Sequence, residues 1–382
     1  MVTSTSVFFY SAWPLGYHNP EARRKAERLA AEGYDVTYVA GVGTRNPSLS
    51  SLPKLVNRAL SKVRLGNGAR ESFGSIRTAA VVVLPPRHLQ TLARLNERWL
   101  HHQISKAVPQ WNDGVAWIRW PTQELVRVVE RARPRLLVYE SVDSNHISPG
   151  ITGRWVQTFE QAERRLVELA DLVVVPSGAL AARYQAWGSQ PYVLPHGVDL
   201  GEWRAERRPT QRPTLGFVGT LDYKLDTTLI RDIARMRPSW TVRLIGPVQE
   251  GFPGAPLSDA RNVKLEPPVP PGQVAALNAT FDVGILPYKA TEHYRFSAPL
   301  KGLELLAAGT PVVARPNAEL AKLGDLIQFA STADDFVKVS EDVLSGESEE
   351  VATRRRAAGE ARTWDRRLDE MVELLRNTLS TA

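Results

Sequence analysis

The sequence predicts an α/β protein made of two doubly wound, Rossmann-like units, each with a parallel sheet covered by helices on both faces, the two facing a cleft. Three observations carry this expectation. Short apolar runs such as Val7–Tyr10 and "DLVVVP" alternate with amphipathic helical stretches, the pattern of parallel strands buried on both sides. The chain has 382 residues, more than one hydrophobic core ordinarily supports. A polar, proline-containing stretch, "GEWRAERRPTQRP" at 201–213, separates two such series. The expected boundaries are a first unit over residues 1–195, a second over 196–362 and a closing helix over 363–382.

In the first series, the Val7–Tyr10 strand is followed by the loop "SAWPLGYHNP" and by the helix "PEARRKAERLAAEG", which starts at a proline and ends at Gly33. "DVTYVA" completes a β-α-β unit. Further strands are expected at 79–84, 135–140 and 171–176, and helices at 121–132, 153–170 and 177–187. The second series places strands at 214–219, 241–246, 262–266, 282–287 and 310–314. Its helices fall at 226–236, 271–279, 299–308 and in the tail.

Composition excludes several classes. Hydrophobic residues make up 43% and charged residues 23%, as in globular rather than disordered chains. No apolar run is long enough to span a membrane, and "MVTSTSVFFYSAWPLG" lacks a basic n-region and cleavage site, which points to a cytoplasmic protein. Without cysteine there are no disulfides, thiolate nucleophiles or cysteine-based zinc sites. The net charge of +7 is uneven, because Arg45 to Lys106 contains 11 basic residues against Glu71 and Glu97. That excess suits either a solvated face or an anionic partner.

The stretch "PLKGLELLAAGTPVV", Pro299 to Val313, is a helix with chemistry on one side. Pro299 fits its first turn, Gly309 its left-handed cap, and Pro311 forbids its continuation. Lys301 and Glu304 stand one turn apart near the N-terminus, where amides and the helix dipole favour an anion. Taken alone, the two could be only a surface ion pair.

The pattern Pro-x-Lys-x-x-Glu-x-x-Ala-x-Gly-x-Pro-Val-Val resembles the nucleotide-sugar signature of GT-B glycosyltransferases, particularly bacterial group 1 (family 4-like) enzymes. "ADLVVVPS…YVLPHGVD" (170–199), "LGFVGTLDYKLD" (215–226) and "TWDRRLDEMVELL" (363–375) match in the same order. The resemblance covers the second half well and the first 135 residues weakly. It implies that Glu304 accepts both ribose hydroxyls of the donor, since a carboxylate offers two acceptor oxygens to a vicinal diol. It also implies that Lys301 neutralises the leaving diphosphate.

Other site candidates follow from the same likeness. Gly219 and Thr220 end a strand where backbone amides can approach a phosphate. Lys224 is a candidate second phosphate cation, although Thr220 stands where many relatives carry an arginine. His196 belongs to "HGVD" and faces either the cleft or the packing of its loop. Phe296 occupies the position of a second glutamate in many relatives. In the first unit, Asp143, Asn145 and His146 follow a buried strand, at the edge where open α/β sheets bind ligands. Asp143 matches the catalytic base of similar xanthan-type glucuronosyltransferases, with ligand binding and loop capping as its other readings. His18 is a further acceptor-side candidate.

The expected reaction moves a sugar from a nucleotide-diphosphate sugar to a hydroxyl acceptor that is lipid-linked, a saccharide or a small molecule. An Asp143 base argues for inversion at the sugar, and the group 1 likeness for retention. No Asp-x-Asp occurs, so no metal and no resident cofactor is expected. Two rivals stand beside this reading: an epimerase of the same fold acting without an acceptor, and a basic nucleic-acid-binding protein. Few aromatics interleave with the charges of 45–106, so no nucleic acid is expected. Residues 51–70, "SLPKLVNRALSKVRLGNGAR", have helical apolar spacing with basic flanks. That pattern fits either a core-packed helix or one lying on an anionic membrane at its inner face.

Overall fold

The computed structural model describes residues 5–15, 20–42, 75–83, 90–142, 154–200, 212–249 and 251–381. The chain separates into two units, Met1–Leu194 with Leu368–Ala382, and Pro195–Arg367.

The first unit is a seven-stranded parallel sheet. Its strands are β1 (Ser6–Ser11), β2 (Asp35–Val42), β3 (Arg77–Val82), β4 (Val115–Ile118), β5 (Leu136–Glu140), β6 (Leu172–Val175) and β7 (Tyr192–Val193). They lie in the order β3-β2-β1-β4-β5-β6-β7. Helices α1 (Pro20–Ala31), α2 (Gln90–Ala107), α3 (Gln123–Ala132), α4 (Arg154–Leu169) and α5 (Gly178–Gln185) intervene. Thr122 and Ser177 cap α3 and α5 by accepting from the amides of Leu125 and Leu180, each at 3.2 Å.

Register decides which side chains meet across the centre of this sheet. Phe9 of β1 is paired with Tyr38 of β2 and Trp117 of β4, and its ring stacks on both, at 5.5 and 5.7 Å between centroids. The sequence pattern did not anticipate β4, although it lies beside β1 at the centre of the sheet. It also did not anticipate α2. The third strand begins two residues earlier than its apolar run suggested.

The second unit repeats the plan with six strands: β8 (Thr214–Val218), β9 (Thr241–Ile245), β10 (Val263–Glu266), β11 (Val283–Leu286), β12 (Val312–Ala314) and β13 (Ile327–Phe329). All are parallel, in the order β10-β9-β8-β11-β12-β13. Its helices are α6 (Thr227–Met236), α7 (Pro271–Asn278), α8 (Glu292–Phe296), α9 (Leu300–Ala307), α10 (Ala318–Ala321), α11 (Ala333–Ser345) and α12 (Glu349–Glu360). The last helix is α13 (Trp364–Thr381). Its Leu368, Met371, Val372 and Leu375 are buried in the core of the first unit, with Val7, Leu29 and Val36.

Both sheets are therefore doubly wound, as the alternating pattern predicted. Strand order reverses between β1 and β4 in one unit and between β8 and β11 in the other. At such a point two loops leave the C-terminal edge in opposite directions and open a crevice for ligand.

Candidate functional site

In the second unit the loops beyond β8, β9, β11 and β12 converge at the switch point. Gly219, just past β8, donates its amide to Ile245 O at 2.9 Å. Gly246, just past β9, has φ +150°, and a Cβ there would lie 1.9 Å from Gly219 O. Only glycine lets the two backbones come this close.

A Cβ on Gly219 itself would meet the Phe217 ring at 3.1 Å and Lys301 Cε at 3.2 Å. The Lys301 side chain thus runs against the bare backbone of the β8 loop. Its Nζ donates to Glu304 Oε2 at 2.9 Å, and both groups are only half-buried. Thr220 follows Gly219, also half-buried. Sequence-predicted Gly219, Lys301 and Glu304 are therefore brought together, with Thr220 beside them.

Helix α9, which carries the pair, is fixed at its C-terminal end. No side chain caps its N-terminus at Pro299. At the other end Gly309 has φ +66°, the Gly309 amide donates to Leu306 O and the Thr310 amide to Leu305 O. These two bonds form a Schellman motif, the stop that Gly-Thr-Pro encodes. A Cβ on Gly302 would press on Leu320 Cδ2 at 2.7 Å, so α9 lies close against α10.

The β8–α6 loop is tied across the crevice to the loop after β11. Lys289 donates its amide to Lys224 O at 2.8 Å, Asp226 donates its amide to Pro287 O at 2.8 Å, and Leu225 bridges Tyr288. Asp226 caps α6 through Leu229 N at 3.0 Å and pairs with Arg315, just past β12, at 2.7 Å. The Lys224 amide donates to buried Asp222 at 2.9 Å, and its Nζ stands 5.9 Å from the Tyr223 ring centroid. These bonds hold Lys224 in the loop that leaves β8.

Tyr288 packs between Phe217 and Tyr294, with ring centroids at 5.8 and 5.3 Å. Burial pushes its phenol far above the usual range, and nearby Tyr294, Asp222 and Glu304 add to the shift. Tyr294, also raised by burial, donates to Arg315 O at 2.9 Å. Tyr288, Asp226 and Arg315 escaped the sequence reading, yet Tyr288 and Arg315 lie within two residues of the ends of expected strands. Proximity to a strand's C-terminal end was the signal available.

The neighbours of His196 and Phe296 are different. His196 lies beside Trp364, with ring centroids at 6.4 Å. Its neighbour Gly197 has no room for a side chain, since a Cβ would lie 2.5 Å from Trp364 Cα. Val198 and Trp364 exchange amide bonds with Arg362 and Val198 carbonyls, so "HGVD" is stitched to "TWD". Phe296 is buried, with the Arg295 guanidinium 4.9 Å from its ring centroid. Asp143, Asn145, His146, His18 and residues 51–70 lie outside the described residues, as does most of the 201–213 stretch.

The first unit has a buried ion cluster at its own switch point. Glu140, the last residue of β5, accepts from Lys25 Nζ at 2.6 Å and from Trp117 Nε1 at 2.7 Å. Arg119, just past β4, stands 3.1 Å from the same carboxylate, and Glu21 takes a second bond from Lys25 at 2.6 Å. Burial alone would push the Lys25 ammonium down, but Glu140 and Glu21 outweigh it and hold the pKa above its ordinary value. Among the described residues no group of three or more His, Asp or Glu is gathered as a metal-ligand set. No described helix is long and apolar enough to cross a membrane.

Two doubly wound parallel units, with a lysine–glutamate helix against a glycine loop in the second, make up the GT-B fold. Residues 227–373 match a family model described as "Glycosyl transferase-like". TuaH of Bacillus subtilis (strain 168), named as a teichuronic acid biosynthesis glycosyltransferase, is 26% identical over 228 residues, 55% of this chain. That match spans 57% of TuaH, little more than half of its length.

Solved structures share the fold. Anabaena Alr3699/HepE in complex with UDP has TM-score 0.65 at 16% identity, over 98% of this chain and 100% of that one. A glycosyltransferase from Rickettsia africae has TM-score 0.67 at 10% identity, over 100% of both chains.

Proposed function

We propose that this chain transfers a sugar from a uridine-diphosphate-type donor to a hydroxyl acceptor, without a metal ion. The observation that carries the reading is the Lys301–Glu304 pair lying against Gly219 at the switch point of the second sheet. The UDP and the UDP-plus-glucose complexes of Alr3699/HepE support the choice of nucleotide.

In this reading a bound donor separates the ion pair. The ribose diol takes Glu304, which accepts both hydroxyl hydrogens, and the diphosphate takes Lys301. The acceptor oxygen forms a bond to the anomeric carbon while the bond from that carbon to the diphosphate breaks. The electron pair leaves on the diphosphate oxygen. Negative charge grows there in the transition state, where Lys301 and the Thr220 amide, next to the bare backbone of Gly219, stabilise it. Lys224 serves as a second cation for the same group, and His196 belongs to the donor-side machinery. Asp143 takes the acceptor's proton as the general base. Residues 1–195 hold the acceptor, residues 196–362 the donor, and 363–382 form the closing helix.

A thermal-shift series with UDP, GDP and dTDP, each with and without sugar, tests the reading. A ligand at 100 times its dissociation constant adds about 2.7 kcal/mol of stability. Stabilisation by UDP above the other two is the expected result. No shift with any of the three overturns the donor assignment.

A further inference from the structure

Helix α2 turns Asn96, Glu97, Leu100 and Ile104 into the protein and leaves its other side in water. On that side Arg94, Arg98, His102 and Lys106 recur every four residues, so they form one row along the helix. Leu95 and Trp99 form the adjoining row, one turn apart, and remain 61% and 38% exposed. The helix's one acid, Glu97, faces inward and is paired with Arg131 and Arg127 from α3. No acid of α2 therefore offsets the basic row.

A solvated face would explain the cations but gives no account of two large apolar side chains held in water beside them. We propose that this face of α2 docks on an anionic lipid bilayer. The guanidinium and ammonium groups take headgroup phosphates, and Leu95 and Trp99 enter the boundary between headgroups and acyl chains. A nucleic acid would use the charges and could stack on Trp99, but it offers an exposed leucine nothing. A bilayer uses the Arg94, Arg98 and Lys106 cations and the apolar row together. The proposal rests on α2 alone and not on the donor reading.

The test is flotation of the full chain with vesicles of phosphatidylcholine, with and without a phosphatidylglycerol fraction, at low and high salt. The wild type is compared with Arg94→Glu/Arg98→Glu and Leu95→Ser/Trp99→Ser, after thermal melts show that both variants are folded. The wild type should float with the anionic vesicles at low salt and not with neutral ones. Reversing two cations should weaken binding by at least about tenfold. The apolar double variant should also bind more weakly.

Failure of the wild type to float overturns the proposal. So does equal flotation of the two variants and the wild type, since the attachment would then lie elsewhere in the chain. Loss confined to the charge variant also overturns it, and leaves a purely electrostatic surface such as a nucleic-acid or acidic-protein site.

Discussion

Lys301 reaches Glu304 at 2.9 Å while its Cε passes 3.2 Å from the place where a Cβ on Gly219 would stand. One side chain is thus in touch with both the ribose-binding and the phosphate-binding parts of the proposed donor site.

Glu304→Gln should weaken binding of a UDP-sugar by about 1–3 kcal/mol, because a charged acceptor of two hydroxyl bonds becomes a neutral one. Calorimetry on the folded variant measures it. Unchanged affinity would mean that the carboxylate only partners Lys301.

Lys301→Ala should lower turnover by about a hundredfold, the scale expected when a group that stabilises transition-state charge is lost. EDTA should leave the wild-type rate unchanged. A rate abolished by EDTA and restored by manganese would contradict the metal-free reading.

Asp143→Asn should leave UDP affinity intact and remove most transfer, since the amide cannot accept a proton. Single-turnover kinetics separate the two effects. The anomeric configuration of the product, read by NMR, decides between inversion and retention.

Lys25→Met should destabilise the protein by about 3–5 kcal/mol, because Glu140 would keep a buried charge without its principal partner. The elevated Lys25 pKa means that its contribution is complete below the unfolded value and is lost only as pH rises through the folded one. Denaturant titration at neutral pH measures the loss, and a change under 1 kcal/mol would show that Arg119 alone suffices.

Arg243 holds Glu266 by two bonds of 2.7 Å across β9 and β10, and depresses its carboxyl below the usual range. The contribution is present above the unfolded pKa and is lost as pH falls through the folded one. Glu266→Gln should cost no more than about 1 kcal/mol at neutral pH, since the pair is partly exposed. The difference from wild type should vanish in acid, and urea melts across pH check it.

What the sequence disclosed depended on how strongly each segment announced itself. Strands β8, β9, β11 and β12 are largely apolar runs beside a glycine or proline, and α9 carries both its stop signal and its chemistry within fifteen residues, Pro299 to Val313, whereas β13, three residues with neither signal, was not anticipated. By contrast, β4 is four residues with tryptophan and arginine on its C-terminal side, too short for period or composition to mark. Helix α2 has two apolar residues on its wet face, which blurs the amphipathic pattern that would have revealed it. Tyr288 and Arg315 are joined to the site by contacts across the sheet edge, which no local pattern encodes. The Glu140 cluster joins residues 115 positions apart, and only the sheet order brings them together.

Helix α13 has a consequence for how the protein is made. Leu368, Met371, Val372 and Leu375 belong to the core around β1, yet the ribosome reaches them only after all of residues 195–367. The second unit has its whole sheet available first, whereas the first must wait for its last apolar side chains. During synthesis the earlier half of the chain therefore carries an open hydrophobic surface, the kind that chaperones shield during translation.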